Sequence, residues 1–178
     1  MTQTHHSIHD AAVLVPIYRR NNGPLKIVLV RRTEGGVHGG QIAFPGGKCE
    51  PGDDSTLDTA LRETKEEIGL DRGTIEILGE LPVVDTVTTG FRIHPYLGRI
   101  EPPAVWRRDP REIAEILVVD VGDLTHPDAH GSEMRRFPDW PDPVEIPFYR
   151  VGPYKLWGAS YRILHPLLPR LAARERDA

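Results

Sequence analysis

The stretch from Pro45 to Leu70 constrains the fold most. Pro45-Gly46-Gly47 ends the extended run Gln41-Ile42-Ala43-Phe44, because proline fixes φ and glycine opens backbone conformations closed to other residues. From Ser55 the period becomes helical: at about 100° per residue, Leu57, Ala60, Leu61, Thr64 and Ile68 fall on one side. Asp53, Asp54 or Ser55 can cap the start, and Gly69 stands where a left-handed C-terminal cap belongs. The spacing therefore predicts a helix over 55–68, entered from a sharp turn at the end of a strand. A helix with one apolar side needs another layer to receive it.

The flanking sequence supplies that layer. Ala11–Tyr18 and Leu25–Arg31 are short apolar runs rich in β-branched residues, and the Asn-Gly within Arg19–Pro24 is a hairpin signal between them. Gly35–Gly40 reads as a glycine-rich loop. Further strands are expected at 74–78, 91–97, 113–120 and 144–151, with an irregular excursion over 123–143, where Pro, His, Asp and Gly abound. A second helix is predicted over 156–168, with Trp157, Tyr161, Leu164 and Leu168 on one stripe. Strands with two separate helices make an α/β or α+β sandwich. The 178 residues fit one domain, placed at 11–170 between flexible ends at 1–10 and 171–178.

The first helix also carries charge. Glu63, Glu66 and Glu67 cluster beside its apolar side, with Glu63 and Glu67 one turn apart. Such a face is more often simply solvated. Here a strand, a Pro-Gly-Gly turn and an acidic loop lead straight into it, and carboxylates that converge repel unless cations neutralise them. Oxygen-only ligands suit Mg²⁺ or Mn²⁺. Arg62 can brace a carboxylate through a bidentate contact.

Bulk properties narrow the partners. A formal charge of −4 argues against nucleic-acid or anionic-membrane binding, which usually needs a basic face. The longest apolar runs are too short to span a bilayer. Cys49 is the sole cysteine, so no internal disulfide forms, and the polar start lacks a secretory pattern. A cytoplasmic location is the default expectation.

Arg62-Glu63-Thr64-Lys65-Glu66-Glu67-Ile68-Gly69-Leu70, together with Gly47, resembles the Nudix box, G-x5-E-x7-R-E-U-x-E-E-x-G-U, where U is bulky and apolar. Thr64 replaces an apolar residue, one extra residue lies between Gly47 and Arg62, and the first Glu of the box becomes Asp53 or Asp54. The resemblance implies a Nudix-type α/β/α sandwich with a mixed β-sheet, a loop–helix–loop and a C-terminal helix. It implies metal ligation by Glu63, Glu66 and Glu67 and a bracing role for Arg62. Gly46 and Gly47 would let the backbone approach the substrate. The general base is expected from a later element, with Glu112 and Glu115 as candidates, or from Glu63 itself.

His38-Gly39-Gly40-Gln41-Ile42-Ala43-Phe44-Pro45-Gly46-Gly47, Thr88-Thr89-Gly90-Phe91, Pro95-Tyr96-Leu97-Gly98 and Tyr154-Lys155-Leu156-Trp157-Gly158 are similar to segments of the coenzyme A pyrophosphatase branch. Arg31, Gly40 and Phe44–Gly47 keep the branch signature, whereas Leu29, Arg32 and Gly36 depart from it. This resemblance implies substrate contacts at Arg31, His38, Gln41, Gly46 and Gly47. The implied partner is a small nucleotide-containing pyrophosphate, coenzyme A or an acyl-coenzyme A, cut to 3′,5′-ADP and (acyl-)4′-phosphopantetheine. The departures keep a second expectation open: a hydrolase of ADP-ribose, another nucleoside diphosphate or a dinucleotide. A non-catalytic ligand sensor is disfavoured, since a retired site has no reason to keep three repelling carboxylates. Family members are often homodimers, so a homodimer is compatible with the resemblance.

Overall fold

A computed structural model describes residues 8–35, 39–86, 89–138 and 140–176, with side chains described up to residue 173. In chain order the first strands are β1 (His9–Tyr18), β2 (Lys26–Arg32), β3 (Ile42–Ala43) and β4 (Gly46–Lys48), followed by helix α1 (Thr56–Ile68). Then come β5 (Ile75–Glu80), β6 (Val84–Asp85), β7 (Phe91–Ile100), β8 (Ile113–Asp120) and α2 (Val121–Thr125). The chain closes with β9 (His130–Arg135), β10 (Val144–Val151), β11 (Tyr154–Trp157) and α3 (Gly158–Arg176).

β1 and β2 begin as the expected hairpin. Asn21 and Asn22 both have positive φ (47° and 58°), and the Gly23 N–H donates to the Arg20 carbonyl at 2.8 Å. A primed type I turn needs positive φ at both central positions, and asparagine tolerates this better than most residues. Past Ile17–Ile27 the two strands separate, and the Ile42–Lys48 segment fills the gap: β3 pairs with β2, and β4 pairs with β1. On their outer edges β7 runs parallel to β1 and β8 antiparallel to β2, while β5 and β6 extend the sheet beyond β7. The sheet is thus mixed, and its split opens beside the Pro-Gly-Gly turn.

Strand alternation sorts the core onto two faces. Ala12, Leu14, Val28 and Val30 lie in the clusters that include Ala60, Ile68 and Leu70, at α1 and its end. Val15, Ile17, Ile27 and Leu29 join the other cluster, with Leu124 of α2 and Leu164, Leu167, Leu168 and Leu171 of α3. Each fully buried aliphatic side chain contributes roughly 1.5–3 kcal/mol, so two helical layers are pinned to one sheet. This is the α/β/α sandwich expected. α1 starts where the Ser55 hydroxyl accepts the Asp58 N–H at 3.1 Å and stops at Gly69, φ 72°.

Three expectations change. The excursion over 123–143 is partly ordered: it holds the end of α2, a short 3₁₀ turn and β9, which forms a second, antiparallel sheet with β10 and β11. His130–Arg135 has no apolar alternation, so its pairing rests on backbone register against Val144–Tyr149, with Gly131 lying under the Phe148 ring. The C-terminal helix begins at Gly158, because Leu156 and Trp157 are strand residues paired with Tyr149 and Phe148. Trp157 therefore leaves the helical stripe, while Tyr161, Leu164 and Leu168 keep it. The domain edges also move outward: β1 already includes His9 and Asp10, and Leu171 is 1% exposed within the core. No helix among the described residues is long and apolar enough to cross a membrane.

Candidate active site

The split in the sheet and the start of β4 bring the glycine turn against α1. Gly46 has φ 151°, and a Cβ there would stand 2.2 Å from the Ala12 carbonyl oxygen. Its N–H points at α1 and donates to Glu67 Oε2 at 2.9 Å. At Gly47 a Cβ would meet the Glu63 carboxyl at 2.5 Å. Glycine at both positions thus lets backbone and carboxylates share the same narrow space. Glu67 is only 2% exposed and Glu63 14%, whereas Glu66 is 59% exposed at the rim.

Arg62 ties this arrangement to the preceding loop. Its Nε and Nη2 donate to the two oxygens of Asp53 at 2.8 and 2.9 Å, and Nη2 also reaches the Lys48 carbonyl. Its Nη1 donates to Glu63 at 2.9 Å and to Glu66 at 3.2 Å. Asp53 also accepts the Glu50 N–H and the Thr59 hydroxyl. The sequence left Asp53 and Asp54 as alternatives; Asp53 is the one that clamps Arg62. The guanidinium and these donors hold its carboxyl far below the usual carboxylate range.

The buried end of the cluster is electrostatically unfinished. Burial pushes the Glu67 carboxyl up to about 7, with Glu63 and Glu112 adding repulsion, against the Gly46 N–H and Arg32. Burial likewise raises Glu63; Arg62 opposes, while Glu66 and Glu112 raise it further. Arg32 reaches in from the end of β2, with Nη1 3.3 Å from Glu67 and Nη2 3.6 Å from Glu112. Among the described residues no three His, Cys, Asp or Glu side chains are already gathered around one point at ligating range. Glu66 is instead turned toward Arg62.

The two expected bases separate. Glu112 acts electrostatically on both Glu63 and Glu67. Glu115 accepts the Tyr154 hydroxyl at 2.7 Å and pairs with Arg31, whose guanidinium lies over the Tyr154 ring. Arg31 and Arg32 thus serve different surroundings, as strand neighbours should, and the β2–β8 register shifts between them. Gln41 and Gly40 line a cleft of about 410 Å³ whose other wall holds Arg135, Tyr154, Lys155 and Trp157. The Gln41 carbonyl accepts the Arg32 N–H at 3.0 Å, so the cleft shares a wall with the carboxylate cluster. His38 and Gly36 lie outside the described residues.

Sequence reasoning did not assign Arg32 to the cluster. Its only signal was a second arginine after Arg31, which alternation must send to the other face.

A family model described as the NUDIX domain matches residues 8–141. "Uncharacterized Nudix hydrolase NudL" of Salmonella paratyphi B is 31% identical over 184 aligned residues, covering 96% of this chain and 88% of that protein. Among solved structures, a MutT/nudix family protein from Enterococcus faecalis is similar with TM-score 0.64 and 23% identity, over 97% of this chain and 65% of that one. An Ap4A hydrolase from C. elegans gives TM-score 0.54 and 20% identity, over 64% and 81%. At these identities the structural likenesses speak for the fold alone.

Proposed function

The chain belongs to the Nudix family of pyrophosphohydrolases, and on that footing we propose that it cleaves the pyrophosphate of coenzyme A or an acyl-coenzyme A, giving 3′,5′-ADP and (acyl-)4′-phosphopantetheine. The observation that carries the hydrolytic reading is Glu67: a carboxylate 2% exposed, held by one backbone N–H and one long arginine contact beside partly buried Glu63. Nature seldom buries a charge so incompletely paired without a use for it.

The donor set fits hard divalent cations. Glu63, Glu66 and Glu67 offer only oxygen, and Gly47 leaves Glu63 room that any side chain would take. These residues would hold Mg²⁺ or Mn²⁺, which when bound screens phosphate charge and acidifies a bound water. The protein's own residues do the rest. Arg62, fixed by Asp53, sets the positions of Glu63 and Glu66. The bare backbone at Gly46–Gly47 admits the diphosphate. Glu112, exposed and within electrostatic reach of Glu63 and Glu67, accepts the proton of the attacking water at its carboxylate oxygens. The non-reacting part of the substrate follows Gln41 toward the cleft lined by Tyr154, over whose ring Arg31 lies.

The coenzyme A reading draws on the segments around Gln41–Gly47, Pro95–Gly98 and Tyr154–Gly158. Of the departures from that branch, Leu29 is 0% exposed and meets core rather than substrate. Arg32 does enter the cluster, and this favours a second reading: a hydrolase of ADP-ribose or a dinucleotide. A panel of coenzyme A, ADP-ribose and diadenosine polyphosphates, compared by kcat/KM with Mg²⁺ and Mn²⁺, separates them. Coenzyme A is expected to lead and to release 3′,5′-ADP; no release at high enzyme overturns the substrate assignment.

A further inference from the structure

We infer that Arg32 is a resident counter-cation of the carboxylate cluster, holding Glu67 and Glu112 in the metal-free protein, and that a divalent cation must displace it to bind. The inference rests on the reading above in one respect, that Glu67 is a metal ligand.

The two arginines of the site are held differently. Arg62 sends two nitrogens into one carboxylate at 2.8 and 2.9 Å and is fixed by a neighbouring carbonyl. Arg32 touches two separate carboxylates with one nitrogen each, at 3.3 and 3.6 Å, and its side chain is 34% exposed. The first geometry is a brace; the second is a cation that solvent can receive when a better one arrives. An ordinary surface ion pair does not explain it, because Glu67 is 2% exposed. Leaving Glu67 and Glu112 facing each other unpaired would cost more than a surface pair is worth. The backbone of Arg32 is anchored to Gln41, so only the side chain needs to move.

Two consequences follow. Metal affinity is lowered by the work of releasing Arg32 from Glu67. The freed guanidinium stays at the mouth of the site, where it can meet the incoming diphosphate, so metal and substrate favour each other's binding.

Metal-free wild type, Arg32→Gln and Arg32→Lys are titrated with Mn²⁺ alone by calorimetry, with no substrate. Arg32→Gln should bind Mn²⁺ about five- to tenfold more tightly, the net scale of one ordinary hydrogen bond removed, as suits a contact as long as 3.3 Å, and Arg32→Lys should fall between. If Arg32→Gln does not fold, tighter binding by Arg32→Lys supports the inference in its place. Unchanged or weaker affinity in the folded variants overturns the inference. Glu67→Gln is titrated in parallel. If it loses Mn²⁺ while Arg32→Gln matches wild type, Arg32 alone is misassigned. If Glu67→Gln binds as wild type does, the metal-site reading falls and the role of Arg32 falls with it.

Discussion

Two parts of the molecule bury polar side chains, and they resolve the cost in opposite ways. Where α3 meets β10, Tyr149 of the strand and Tyr161 of the helix are 5% and 8% exposed. Both hydroxyls pair with His165 Nδ1, at 2.7 and 3.1 Å, and Tyr161 also meets His130 Nε2 at 2.8 Å. Their rings stack, with Tyr161 and His165 centroids 4.9 Å apart. Every hydroxyl has a partner among rings that need carry no charge. Beside Gly46 and Gly47 the protein buries Glu67, partly buries Glu63, and neutralises both only in part. Satisfied neutral groups stabilise a fold. A buried charge left short of partners has a use for a cation, and on the proposed function that difference is what sets the carboxylate cluster apart from the aromatic one.

The largest expected effect tests that difference directly. On the proposed metal site, Glu67→Gln should lower kcat by about a thousandfold or more, since it would remove a ligand charge where metal-borne charge stabilisation does most of the work. The fold should persist, as the amide oxygen can still accept the Gly46 N–H. Steady-state kinetics at saturating metal, with circular dichroism, checks both. Retained turnover would break the comparison, because the unfinished cluster would then have no chemical task.

Stability against pH gives the next effect. The folded-state pKa of Glu67 is raised from 4.5 to about 7, so between these values the folded protein binds more protons than the unfolded chain. The contribution of Glu67 is therefore neutral below about pH 4.5, grows more destabilising as pH rises from there to about 7, and levels off above it. Urea titrations of metal-free wild type and Glu67→Gln at pH 4.5 and pH 8 should differ by a relative gain for the variant on the order of 3 kcal/mol at the higher pH. Saturating Mn²⁺ should lessen the wild-type loss. An equal pH dependence in both proteins would mean that Arg32 and Gly46 neutralise Glu67 fully.

A backbone test sharpens the same contrast. Gly47→Ala places a methyl group 2.5 Å from the Glu63 carboxyl, while Gly52, in the loop after β4, has nothing within 4 Å of its Cβ position. Gly47→Ala should cost about 1–2 kcal/mol and depress kcat/KM more than that loss explains, because Glu63 is pushed off its position. Gly52→Ala should leave both unchanged. Thermal denaturation and kinetics on the pair separate loop stiffness from site geometry.

How much of this was readable beforehand depends on the range of the interactions. Glu63, Glu66 and Glu67 were legible because helical spacing alone puts them together, and the Ser55 and Gly69 caps are local chemistry. The role of Asp53 over Asp54 was not, because it depends on which loop carboxylate reaches the Arg62 fork. Arg32 was obscured by the separation of β1 from β2 and by the register shift after Arg31, both tertiary events. β9 escaped notice because Gly131-Ser132-Glu133 has no apolar alternation and pairs through its backbone. Trp157 misled by lying four residues before Tyr161, a helical spacing that Gly158, at φ 64°, interrupts.

The smallest effect belongs to the satisfied cluster. Tyr161→Phe removes one hydroxyl whose partners, His130 and His165, sit at the exposed rim and can turn to water. Only the net worth of the bonds is lost, about 1 kcal/mol, rather than the full penalty of stranding a buried group. Tyr149→Phe should cost a similar amount, and the double variant less than the sum, because both hydroxyls share His165 Nδ1. Neither should alter kcat at saturating metal, since no contact links this cluster to Glu63 or Glu67 among the bonds described. A more than tenfold fall in kcat with an unchanged melting temperature would show that mutual satisfaction does not mark a purely structural cluster, and the contrast between the two regions would lose its meaning.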